Sequence, residues 1–230
     1  MRAAARLPLA LAALLPLLPA CAPATGGLSL CLPENVEADP ATGEAELRLR
    51  ARFVAREARD SGCGGGLTLR DEDGVEHTFG VNLQRPDLSL LDWELPVAIG
   101  DTVEVLARRR GGWGQGAGLV VRDEAGALLA AFDDGTWGGA LDAADVAVEV
   151  RAGAELDVVR EECATRSLRA LRFVGDGAPV ELEPFDQAPI TVEGAALRAV
   201  AVQAERLGPG ASCEVSDQSD IFAWALLPQG

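Results

Sequence analysis

Lysine and tyrosine are absent from this 230-residue chain, and histidine and methionine occur once each. Each gap removes a class of chemistry. With His77 as the sole histidine and no serine in a GxSxG elbow, no nucleophile–base arrangement of the hydrolase kind is expected. The glycine-rich stretch from Arg108 to Gly118 lacks the lysine and the serine or threonine of a phosphate-binding loop, which argues against nucleotide binding. No CxxC pair occurs, so the ligand spacing of a structural zinc site is missing, and no segment matches a twelve-residue calcium loop. Apart from residues 7–18 there is no long apolar run, and that one is shorter than the roughly 20 residues a membrane helix needs. Asparagine (Asn35, Asn82) and isoleucine (Ile99, Ile190, Ile221) are also scarce. These residues and lysine share AT-rich codons, so the bias reads as GC-rich coding and carries no functional information.

What the chain has in quantity is acid. Against 36 aspartates and glutamates stand 20 basic residues, all arginine, for a net charge of -16. A field of that sign repels phosphate backbones and anionic lipid surfaces, so nucleic acid is excluded as a partner, while the same charge keeps a protein soluble.

The first residues, MRAAAR, carry Arg2 and Arg6 and lead into the apolar run Leu7 to Leu18, which is followed by small residues. This is the three-part layout of a secretory leader. At its end Leu18, Pro19, Ala20 and Cys21 stand where bacterial lipoproteins carry a leucine, two small residues and the modified cysteine. Residues 1–21, and no others, resemble a lipoprotein signal peptide. The resemblance implies a signal peptide over 1–20, lipidation of Cys21, and, because Ala22 follows rather than aspartate, sorting to the outer membrane. Read as an ordinary leader, the small-x-small triplet Ala22, Pro23, Ala24 would instead end it before Thr25, giving a periplasmic or secreted protein.

Either route removes Cys21 from the pairing count. Cys31, Cys63, Cys163 and Cys213 remain, an even set expected to form two structural disulfides in an oxidising compartment. Three pairings are open to four cysteines.

From Glu46 to Arg52 the residues alternate, with Leu47, Leu49 and Ala51 to one side and Glu46, Arg48, Arg50 and Arg52 to the other. That is the pattern of a strand packed on one face and wet on the other. Similar segments recur about every ten residues, punctuated by turns such as Asp71 to Gly74, Asp123 to Gly126 and Gly175 to Gly177. The expected fold is therefore all-β, an antiparallel β-sandwich. Residues 155–173 are ambiguous and leave room for one short helix. At an offset of 94, Gly100 to Ala107 echoes Gly194 to Ala201, and Val121 to Phe132 echoes Val215 to Leu226. Taken as a repeat, this divides the chain into a tether (21–30), a β-sandwich module (31–142) and a second β module (143–230), and favours the bonds Cys31 to Cys63 and Cys163 to Cys213. Taken as the common look of β-meanders, it leaves one continuous sandwich.

Three features are candidates for function. Trp113, in the glycine-rich loop, and Trp137 are the aromatic platforms that a glycan or protein ligand would use, or they fold back over the sheet. The arginine ladder Arg48, Arg50, Arg52 either pairs across strands with acids such as Glu104 or forms an anion or acidic-glycan site. Acidic loops (Asp71, Glu72, Asp73; Asp133, Asp134; Asp217, Asp220) offer oxygens for calcium, but hairpin turns built from aspartate and glycine explain the first and third without metal. His77 falls in strand phase with Phe79 on the presumed buried face and reads as a core histidine. No catalytic residue, metal or cofactor is expected. The chain reads as an exported, lipid-anchored, non-enzymatic binding or structural module of the envelope, with a carbohydrate-binding module or hydrolase accessory as the alternative.

Overall fold

A computed structural model describes residues 27–33, 36, 39–57, 66–87, 89–109, 116–137, 146–160, 164–209 and 219–229. Thirteen strands are formed: β1 (Gly27–Cys31), β2 (Ala45–Glu57), β3 (Gly66–Arg70), β4 (Glu76–Gln84), β5 (Thr102–Arg109), β6 (Ala117–Asp123), β7 (Leu128–Trp137), β8 (Glu149–Arg160), β9 (Ala164–Val174), β10 (Val180–Leu182), β11 (Gln187–Val192), β12 (Ala195–Pro209) and β13 (Ser219–Pro228). Among the described residues there is no helix. The strands hydrogen-bond antiparallel in the order β1-β4-β3-β2-β5-β6-β7-β13-β12-β9-β10, with β11 on β12 and β8 on β9. This is the all-β, sandwich-like antiparallel fold that the alternation predicts.

Two stretches differ from the sequence reading. Within the ambiguous segment 155–173 the described residues 155–160 and 164–173 belong to the paired strands β8 and β9 rather than to a helix, and Leu171 and Phe173 repeat with period two and are completely buried. The sheet also begins at Gly27, inside the stretch that composition assigns to a tether: Leu28 and Leu30 alternate inward, and β1 pairs with β4 from Gly27↔Gln84 to Cys31↔Gly80.

Two cores result. The first lies inside the curved sheet β1 to β7 and gathers Phe53, Leu67, Leu69, Phe79, Val103, Val105, Leu119 and Phe132. The segment between β4 and β5 covers it by dropping in Leu91, Trp93 and Leu95. Trp93 meets Phe132 with ring centroids 5.0 Å apart, and the Arg56 guanidinium lies 4.4 Å from the centre of the Trp93 ring, a cation–π contact. The second core is on the opposite face, where Leu171, Phe173, Ile190, Val192 and Leu197 pack around Trp224. Phe173 meets that indole edge-on at 6.3 Å.

Strands β6, β7, β12 and β13 serve both cores at once. In β7, Ala130 and Phe132 face the first and Leu128 and Ala131 the second; in β13, Ala223, Ala225 and Leu227 face the first and Trp224 and Leu226 the second. Strands buried on both faces read as continuous apolar runs, which is why Leu128–Phe132 and Phe222–Leu227 show no alternation.

A single carboxylate draws β1 toward β7. The register of β7 on β13 shifts so that Asp134 and Gly135 oppose one partner residue, and Gly135 takes φ 96°, the left-handed region that glycine tolerates. The bulge turns Asp134 toward the seam. Its Oδ2 accepts from Leu30 N–H at 3.1 Å and its Oδ1 from Ala117 N–H at 2.6 Å. Replacing Asp134 with alanine strips two part-buried N–H groups of their acceptor and is expected to destabilise the fold by about 1–3 kcal/mol. The urea midpoint measures this, and Asp134→Asn, with one acceptor oxygen left, should fall between the alanine variant and the parent.

Candidate functional site

The outer face of β2 carries the arginine ladder where alternation expects it: Arg48, Arg50 and Arg52 are exposed, while Ala51 and Phe53 between and beyond them are buried. The partners differ from the expected cross-strand pairing. Glu104 is the register partner of Arg50, but the Arg50 guanidinium turns to Glu124 in the β6–β7 turn at 2.5 Å. Arg48 donates to Glu46 on its own strand at 2.7 Å, and Arg108 of β5 reaches the same carboxylate at 2.7 Å. The hydrogen bonds from Arg48, and then from Arg108, hold the Glu46 carboxyl below its ordinary range.

Arg52 is different. Its partners in register are Thr102 on β5 and Arg70 on β3. Directly opposed residues of an antiparallel pair lie about 4.5–5.5 Å apart at Cβ, so two like charges meet across β2 and β3. Arg70 escapes by donating to Glu76 at 2.5 Å. Among the described residues Arg52 makes no ion pair.

These side chains line an open groove of about 990 Å³. Its floor is residues 50–54 of β2. One wall is the β3–β4 turn with Arg70, Asp71, Glu72 and Gly74; the other is Ile99, Gly100 and Thr102; Glu124 stands at the rim. Ile99 is 78% exposed, unusually open for an isoleucine. A smaller cavity of about 500 Å³ continues along the same face, shares Arg50, and ends at Arg122 of β6. Arg122 is bound to Glu193, a non-glycine residue at φ 52° in the β11–β12 turn. That bond, followed by acceptance from Ala147 N–H at 3.0 Å, lowers the Glu193 pKa.

The groove wall is held by turn chemistry. Asp71 accepts from Val75 N–H through Oδ1 at 2.8 Å, and Gly74 at φ 81° closes the turn. The other oxygen, Oδ2, lies 2.8 Å from Nε2 of His77, which is buried as its strand phase predicts. The hydrogen bond from His77 holds the Asp71 carboxyl below its ordinary value. The Asp123–Gly126 turn repeats the device, with Asp123 Oδ1 accepting from Ala127 N–H at 2.8 Å, and so fixes the backbone that carries Glu124.

The other sequence candidates are dispersed. Cys31 ends β1 and is disulfide-bonded. Cys21, Cys63, Cys163, Cys213, Asp217 and Trp113 lie outside the described residues. Trp137 ends β7; Asp134 belongs to the β7 bulge, and Asp133, just before it, is completely buried and accepts from Gly135 N–H at 3.1 Å. Among the described residues no three His, Cys, Asp or Glu side chains group as metal ligands. Sequence reading missed Arg70 and Glu124. Arg70 follows the short alternating stretch Leu67-Thr68-Leu69 and precedes a turn, so nothing local marks its register with Arg52. No family model, curated protein or solved structure matches the chain.

Because the folded-state pKa of Asp71 is depressed, its contribution is present above the ordinary aspartate value of 3.8 and is lost as pH falls through that value toward the lower folded one. Asp71→Asn is expected to flatten the acid limb of stability against pH. Urea midpoints between about pH 6 and about pH 2 check this; the two curves should converge at the acid end, and a variant curve parallel to the parent's would refute the coupling.

Proposed function

We propose that this chain is an exported, non-enzymatic binding module of the bacterial envelope, anchored in the outer membrane by lipid on Cys21 and presenting the β2–β3 groove as its binding face. One observation carries the reading. Strand β4 touches both ends of the path: Gln84 pairs with Gly27, six residues after Cys21, and Glu76 pairs with Arg70 at the groove. Those levels are separated by eight residues of extended strand, about 26 Å. From Cys21 to Gly27 there are six residue steps, a reach of at most roughly 20 Å. A domain tethered so closely stands on the bilayer, and its groove is then turned outward, to where a ligand arrives.

The cysteines support export. Cys31 is already in a disulfide, the state of an oxidising compartment. Cys31 faces Gly80, Gly80 faces Gly66 on the next strand, and Cys63 is three residues upstream of Gly66. At the far end of the sheet Ala164 pairs with Pro209, beside Cys163 and four residues before Cys213. Register therefore favours Cys31 with Cys63 and Cys163 with Cys213. The single histidine supports a non-enzymatic role, since its ring is buried in strand phase rather than presented to the groove.

Cys21→Ala is expected to move the protein from the detergent-extracted membrane fraction to the soluble periplasmic one, and intact-mass measurement should find diacylglyceryl and acyl additions on Cys21. A mature chain with a free Thr25 N-terminus would refute the anchor. Non-reducing peptide mapping should link Cys31 to Cys63, and a Cys63 to Cys163 peptide would overturn that pairing.

A further inference from the structure

We infer that the groove between the β3–β4 turn and Ile99 is a binding site for a monocarboxylate with a short apolar body, its carboxylate taken by Arg52. The inference rests on the reading of this face as the binding face. Three arginines converge on the groove in a chain with 36 acids, and the sheet sets Arg52 directly across from Arg70. Like charges so placed are destabilising, and a solvated surface with acid in excess offers easy relief. Arg50 takes Glu124, Arg70 takes Glu76, and the exposed Arg52 guanidinium, central on the groove floor, is left with its charge uncompensated among the described residues. Sites that contradict local stability in this way are where function is expected.

Charge and shape then select the ligand. Once the arginine–glutamate pairs are counted, one guanidinium faces the groove together with the carboxylates of Glu72 and of Asp71, the latter already accepting from Val75 N–H and lying against His77. A second negative charge on the ligand would be set against Glu72 and Asp71, so a dianionic phosphate is disfavoured and a single carboxylate is not. The planar fork of arginine matches a carboxylate with two parallel hydrogen bonds. Ile99 in the groove wall, 78% exposed, offers an apolar contact to the body of the ligand. No bond is made or broken; the ligand is held, not converted.

The test uses the purified protein with sodium hexanoate, with acetate, phosphate and chloride at equal ionic strength. Hexanoate is expected to raise the melting temperature and to titrate by calorimetry to a single site. Arg52→Gln should abolish the shift, Arg52→Lys should weaken it, and Ile99→Ser should weaken hexanoate binding while leaving acetate unchanged. Without ligand, Arg52→Gln should melt about 1–3 °C above the parent, because a like-charge pair is gone. A hexanoate shift equal to that of chloride, or one that persists in Arg52→Gln, overturns the site. A larger shift with phosphate overturns the monocarboxylate assignment in favour of a phosphorylated ligand. If Arg52→Gln does not fold, the Ile99→Ser comparison decides alone. Cys21→Ala changes location without touching this groove, so failure of the anchor and failure of the site are read separately.

Discussion

Strands β7 and β13 lie side by side in the middle of the sheet and bury both of their faces, and the rest of the architecture follows from having to cover them. Phe132 and Ala225 need a core on one side, Trp224 and Leu226 a core on the other. The first half of the chain supplies one cover by curling β1 to β5 around to the seam with β7. The second half supplies the other by folding β8 to β11 back over β12 and β13. Each cover is itself one-sided, so its strands alternate apolar and polar residues, and the charged ladders are confined to the outside.

The curl needs an end, and Asp134 provides it. A bulge in β7 adds the residue that turns this carboxylate toward β1, where it takes the Leu30 N–H that the β1–β4 pairing leaves on the other side. Closing the seam in this way also sets where β1 starts. With Gly27 beside Gln84 and the groove beside Glu76, the start of β1 and the groove lie at opposite ends of β4, a separation that follows from strand register.

Acid in excess shapes the outer surface by pairing. Glu46, Glu76, Glu124 and Glu193 each take an arginine, and most of these bonds are exposed and individually weak. Their effect is to leave Arg52 as the ladder cation that makes no ion pair among the described residues. Asp71 and Asp123 act on the backbone instead, and the turns they hold carry the groove wall and the Glu124 rim.

The fold class was legible in the sequence because period-two alternation is a local property: Leu47 to Phe53 already separates an inward from an outward face, and the Asp71–Gly74 and Asp123–Gly126 turns announce themselves by composition. The burial of His77 and the outward ladder Arg48, Arg50, Arg52 followed from the same phase. The strand at Gly27–Cys31 was hidden because two leucines next to small residues are too short a signal. What only the tertiary structure decided is which outward residues meet. Arg70 faces Arg52, and Glu124 closes on Arg50, across sequence separations of 18 and 74 residues. Such meetings are set by strand order and by bulges, and the alternation within any one strand carries no record of its neighbour's register.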